Sequence, residues 1–200
     1  MLEAIGLAAV RGEQVVFADL SFNLASGEAL LLTGANGSGK STLLRLLAGL
    51  VPAAEGALLW HGGDALSDVP THAARLRYLG HLDALKPGLT LDENLTLWAR
   101  LWGGRVAPAL EAVGLEGLGH LPARMLSAGQ KRRAALARLA LAPVPLWLLD
   151  EPSVGLDTGS IGLFGAMLAT HRAAGGAVVA ATHVDLPLPG ARIFHLGQPA

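Results

Sequence analysis

The stretch LLLTGANGSGKSTLLRLLAG, Leu30 to Gly49, decides the fold. It begins as an apolar strand, passes through Gly34-Ala35-Asn36-Gly37-Ser38-Gly39-Lys40-Ser41, and continues as a leucine-rich helix expected over Ser41 to Leu50. The loop satisfies the phosphate-binding pattern G-x-x-x-x-G-K-S/T in its required setting between strand and helix. Glycine at 34, 37 and 39 lets the backbone turn tightly enough to aim successive amides at phosphate oxygens, helped by the helix N-terminus. Lys40 neutralises the terminal phosphates, Ser41 offers a hydroxyl to magnesium, and Thr42 bonds phosphate or backbone.

A phosphate loop needs an acidic strand end beside it, and PLWLLDEP, Pro145 to Pro152, supplies one. Asp150 suits the magnesium shell, and Glu151 suits polarisation of an attacking water, since consecutive side chains diverge at a strand edge. His183 follows another apolar strand in VVAATHVDL, and two readings stay open: an imidazole that donates to a γ-phosphate or orients water, or an ordinary loop residue. The other six histidines are scattered and, without cysteines, suggest no metal cluster.

Around these motifs the chain alternates strands and helices. Strands are expected at Val15 to Phe17, Leu20 to Leu24, Ala29 to Leu32, Leu58 to Trp60, Leu76 to Leu79, Leu146 to Leu149, Ala177 to Ala181 and Arg192 to Leu196. Helices are expected at Leu91 to Gly103, Pro108 to Val113, after Ser127 and from Thr158 to Ala173. The pattern predicts an α/β fold with a largely parallel sheet, one domain over 1–200, and a helical subdomain at about 88–140.

The chain has 200 residues, enough for a core without staples, and zero cysteines exclude disulfides and thiolate metal sites. A net charge of -1 gives no overall attraction to nucleic acid or to an anionic bilayer. Lys131, Arg132, Arg133 and Arg138 are read as the solvated face and flank of a helix rather than the seed of a basic patch. MLEAIGLAAVRGEQ has an early acid and no basic-then-apolar order, so no secretory signal is expected, and no run is long enough to span a membrane. A hydrophobic content of 52 % suits either a docking face for an apolar partner or an alanine- and leucine-rich core, and composition does not choose.

In this order the glycine loop, LSAGQ (Leu126 to Gln130), LLDEP, SVGLD ending at Asp157, and His183 resemble the nucleotide-binding domain of ABC transporters. The resemblance implies a P-loop NTPase of the ABC type: a mainly parallel core sheet, an N-terminal antiparallel portion and an inserted helical subdomain. It implies ATP and Mg2+, and two copies closing head to tail so that Ser127, Gly129 and Gln130 meet the γ-phosphate held by the other copy. Asp157 would couple the two sites. Ala128 stands where the family's signature has glycine, His81 where it usually has glutamine, and Arg11 where an aromatic usually stacks on adenine. For Arg11 two readings stay open, a guanidinium on the base or a side chain in solvent.

Arg11, YLGH (Tyr78 to His81), ALKPGLTLDENL (Ala84 to Leu95) and LSAGQKRR (Leu126 to Arg133) narrow the resemblance to the ATP-binding subunits of cytochrome c maturation, or haem exporter, complexes. That implies an ATPase on the cytoplasmic face of the bacterial inner membrane, peripheral and held by a transmembrane subunit, CcmB, with CcmC and CcmD. No nucleic-acid partner is implied, and hydrolysis is linked to release of a haem-loaded chaperone or to haem-related transport. A transporter of other cargo is the neighbouring alternative, and a soluble nucleic-acid- or ribosome-associated ABC ATPase the more distant one.

Overall fold

Period-two alternation within the strands separates two hydrophobic cores and so sets the architecture. The structure, a computed structural model, describes residues 1–197. Its central sheet holds β3 (Ala29–Thr33), β6 (Leu76–Leu79), β7 (Leu146–Asp150), β8 (Ala177–Ala181) and β9 (Arg192–His195), after β1 (Leu2–Arg11), β2 (Gln14–Leu24), β4 (Glu55–Trp60) and β5 (Gly63–Asp64) in the second sheet. The central order is β6-β7-β8-β3-β9, with each pair parallel. The second sheet, β2-β1-β4-β5, is antiparallel throughout.

One face of the parallel sheet points Leu30, Leu32, Leu146, Leu148 and Val179 into a core shared with β1, β2 and the helix α1 (Lys40–Leu47). The other face points Leu149, Val178 and Ala180 toward α3 (Leu91–Trp102), α4 (Val106–Glu111), α5 (Ala128–Ala140) and α6 (Thr158–Ala173). A sheet covered on both faces needs apolar residues at every position, which is why β7 and β8 are buried along their whole length. α3 begins with a reciprocal cap between Thr90 and Glu93 and ends at Gly103 in the left-handed region.

Several expected boundaries change. β1 covers a segment in which no individual strand is expected, and the runs at Val15 to Phe17 and Leu20 to Leu24 form one strand. Asp19, at φ 50, sits between them where the pairing with β1 is irregular, so the polar interruption is accommodated as a bulge. A helix not expected from sequence, α2 (Val69–Ala74), is capped by the Asp68 carboxylate on the Thr71 N–H. α1 stops at Leu47 rather than at Leu50, and α4 runs two residues earlier than read.

Near the end of α6, His171 stacks on Trp147 at 3.9 Å between ring centroids, with its Nε2 3.1 Å from the Ala177 carbonyl. Burial lowers the His171 pKa, partly opposed by that hydrogen bond. The folded state therefore takes up a proton at lower pH than the unfolded chain. Stability is full above the ordinary histidine range and falls as pH drops through it toward the depressed folded value. Thermal melts should show a smaller loss on acidification from neutral pH in His171→Gln than in the wild type; parallel losses would assign the acid sensitivity elsewhere.

Candidate active site

The loops that leave the C-terminal ends of β3, β7 and β8 meet at one edge of the parallel sheet, where open α/β folds place their ligands. Together with the β1–β2 turn they enclose a cleft of about 750 Å³. Asn36, Gly37, Gly39, Lys40, Ser41 and Thr42 line it from the loop and the start of α1. Asp150, Glu151 and His183 line it from the strand ends, and Arg11 and His81 from its rim. Gly34, Ala35 and Ser38 border a second cavity on the other side of the loop, against His195, Leu196 and Gly197.

Glycine is required in this loop for space as well as for backbone angle. A Cβ on Gly39, at φ 98, would lie 2.7 Å from Val16 Cγ1, and one on Gly34 would lie 2.5 Å from the Leu196 carbonyl oxygen. Lys40 is buried beneath the loop, donating from Nζ to the Gly34 and Ala35 carbonyls at 2.7 and 2.9 Å. An ammonium has three donors, so the third is left for a phosphate oxygen. Gly34 and Ala35 thus contribute by holding Lys40 through their carbonyls.

The two adjacent carboxylates diverge. Asp150, 3 % exposed, accepts from the Ser41 hydroxyl at 3.0 Å. A hydroxyl and a carboxylate oxygen, side by side at a phosphate loop, are the hard donors that Mg2+ takes when most of its shell is phosphate and water. Ser41 and Asp150, side by side at 3.0 Å, fit a magnesium ion whose remaining ligands are phosphate and water. Glu151 turns away from Asp150 because its backbone lies at φ 49, the left-handed region. Its Oε2 accepts the His183 N–H at 3.2 Å, and Oε1 lies 3.4 Å from His183 Nε2.

The chain matches the ABC transporter family over residues 17–154. The cytochrome c biogenesis ATP-binding export protein CcmA of Rhodospirillum rubrum is 56 % identical over 193 residues, covering 95 % of this chain and 83 % of that protein. The protein of the same name from Paramagnetospirillum magneticum is 54 % identical, covering 98 % of this chain and 93 % of that one. The chain belongs to the CcmA family of ABC transporter ATP-binding proteins. A solved ATP-binding subunit of an ABC transporter superposes with a TM-score of 0.83 at 29 % identity, covering 92 % of this chain and 79 % of that one. A dimeric ATP-binding cassette, solved after hydrolysis with ADP and phosphate, has the same fold with a TM-score of 0.81 at 24 % identity, covering 98 % and 94 %.

This CcmA-family chain keeps its signature residues away from its own cleft: Ser127, Gly129 and Gln130 are absent from the cleft's lining. Ser127 is the exposed N-cap of α5, which starts at Ala128, so Gly129 and Gln130 lie inside the first turn. Gln130 is folded back as a cap, its Oε1 accepting the Ser127 N–H at 2.8 Å while its own N–H reaches Ser127 Oγ at 3.2 Å. A Cβ on Gly129 would meet the Gly155 carbonyl at 3.3 Å, so the signature turn packs against the SVGLD loop. Asp157 caps α6 through the Ser160 N–H at 2.7 Å, and that bond first, then the Ser160 side chain, lowers its pKa.

Of the four basic residues after the signature, Lys131 is half-buried, and Arg132, Arg133 and Arg138 are not a solvated face, which corrects the sequence reading for the three arginines. Arg132 is buried, Arg133 donates to the Val113 and Gly114 carbonyls, and Arg138 donates to the Ala135 carbonyl beside Trp98. Further cleft residues escaped the sequence reading: Gln14, Val15 and Val16 on the strand after Arg11, Arg45 on α1, Val154 and Val184. Arg45 stands four residues after Ser41, on the same helix face, and that spacing is the one signal that could have flagged it. Burial pushes the Tyr78 phenol up, while its hydrogen bond from Arg45 acts in the opposite direction.

Proposed function

We propose that this chain is the ATP-hydrolysing subunit of a membrane ABC complex in c-type cytochrome biogenesis, coupling hydrolysis to release of a haem-loaded chaperone or to haem-related transport. The observation that carries the reading is the convergence of Lys40, Ser41, Asp150, Glu151 and His183 on one cleft. Lys40 and the loop amides stabilise charge on the phosphates. Ser41 and Asp150 would hold the magnesium of MgATP, which would supply neutralisation of phosphate charge. Glu151 takes a proton from, and so orients, the attacking water, and His183, bonded to Glu151, reports the γ-phosphate. Thr42 and Asn36 complete the phosphate contacts, and Arg11 lays its guanidinium on adenine with Val15 and Val16 beside it.

A second copy, related head to tail, brings Ser127, Gly129 and Gln130 to the γ-phosphate. Each site is then shared, which explains a capped helix end with no role in its own cleft. Copies carrying Lys40→Ala and copies carrying Ser127→Arg, each inactive alone, should regain up to about a quarter of wild-type hydrolysis when co-assembled at random, because mixed dimers keep one intact site. No recovery in verified mixed dimers would contradict shared sites.

Residues 88–140 act as a helical subdomain that, with the His81 loop, faces a transmembrane subunit resembling CcmB, with CcmC and CcmD. Leu97 and Leu101, one turn apart on α3, and Leu82 beside His81 are exposed, which supports an apolar contact there. Among the described residues no helix is long and apolar enough to cross a membrane. Attachment through partners at the cytoplasmic face of the inner membrane is therefore the mode proposed. A nucleic-acid role lacks its seed, since Arg132, Arg133 and Arg138 are bonded internally. Affinity purification from membranes tests the assignment: CcmB should co-purify, and recovery of an unrelated permease without it would sink the cytochrome role while leaving the ATPase.

A further inference from the structure

Arg132 is 5 % exposed, and its guanidinium reaches six acceptors on two separate segments. Nη2 donates to the Asp150 carbonyl at 3.2 Å and the Glu151 carbonyl at 2.6 Å, and Nε to the Pro152 carbonyl at 3.1 Å. Nη1 lies 3.3, 3.4 and 3.1 Å from the Gly80 carbonyl, the His81 carbonyl and Asp83 Oδ1. The side chain therefore joins α5, the turn carrying Glu151, and the loop carrying His81.

Glu151 is the residue that most needs such a hold. A non-glycine residue at φ 49 is in a sparsely populated conformation and persists only when its surroundings fix it. The backbone around it is held by the Glu151 N–H on the Ala181 carbonyl at 2.8 Å and by Arg132 on three successive carbonyls. The same twist directs the carboxylate to His183 instead of along Asp150. We infer that Arg132 is a positioning residue for hydrolysis: it acts through Glu151, locking that carboxylate toward His183 and tying its turn and the His81 loop to the signature helix. A shift of α5 then moves both together.

Arginine suits the task because its planar fork offers five N–H donors in fixed directions, whereas lysine offers three from one point. The inference rests on the ATPase reading. The test uses the full chain purified with its membrane subunits. Arg132→Lys should lower kcat by about 10- to 100-fold, the scale of a misplaced reacting group, while affinity for a non-hydrolysable ATP analogue stays within about twofold. Introduced into Glu151→Gln, Arg132→Lys should change the residual single-turnover rate by less than about twofold, since a residue acting through Glu151 is not additive with it.

A full-sized loss in the Glu151→Gln background, or analogue affinity falling in step with kcat, overturns the inference. Should Arg132→Lys fail to fold, Asp83→Ala removes the one charged acceptor, which is partly exposed. It should lower kcat by about three- to tenfold with affinity kept, and an unchanged kcat overturns the inference. A wild-type complex without any ATPase overturns the functional reading and this one with it, whereas an active wild type with additive variants overturns this one alone.

Discussion

Glu151→Gln should lower single-turnover ATP hydrolysis by about 100- to 10,000-fold, the usual cost of losing a general base. Nucleotide affinity should stay near wild type, because the groups that would bind phosphate and magnesium are untouched: Lys40 remains on the Gly34 and Ala35 carbonyls, and Ser41 on Asp150. Glutamine has the size of glutamate and still accepts the His183 N–H through its amide oxygen, so the turn keeps its shape. ATP should then hold two copies together, visible as an ATP-dependent dimer in size-exclusion chromatography coupled to light scattering. Hydrolysis at the wild-type rate would remove Glu151 from the reaction.

The second large effect is on binding. Lys40→Ala should weaken ATP and ADP binding by about 100-fold, as expected when a charge-assisted contact from a buried lysine to phosphate is lost. Adenosine, which has no phosphate, should bind the variant as it binds the wild type. The fold should tolerate the change, since a cation at the start of α1 opposes the helix dipole and its removal offsets the two lost loop bonds. A melting midpoint within about 3 °C of wild type would separate loss of binding from loss of structure. Isothermal titration with the three ligands measures this, and equal weakening toward adenosine would contradict it.

The parts of the fold that were legible in sequence are those whose signals are local. α6 is legible because Asp157 caps it and Gly175 follows its end, and β8 because five apolar residues sit between glycine and a polar turn. β1 was missed since its meaning depends on pairing with β2 and β4, and nothing within Leu2 to Arg11 announces those partners. The phosphate loop, Asp150, Glu151 and His183 were legible as motifs, and the structure brings them to one cleft.

Arg132 was misread for a physical reason. Helical spacing tells which face a side chain leaves, but a guanidinium on a long stem can cross to carbonyls of distant loops, and those acceptors leave no mark in the sequence. Ser127 and Gln130 carried the opposite ambiguity. Their mutual cap satisfies the helix end on its own, so a local reading has no need of a phosphate, and only the separation of Ser127 and Gln130 from their own cleft raises the question of whose site they serve.

On the proposed function, ATP hydrolysis in this cleft drives c-type cytochrome biogenesis. The most direct measurement is haem staining of c-type cytochromes in cells whose own copy of this subunit is deleted. The wild-type chain should restore the stained bands, and Lys40→Ala, expressed and membrane-bound at the same level, should not. Full restoration by Lys40→Ala, or undiminished c-type cytochromes in the deletion itself, would contradict the account.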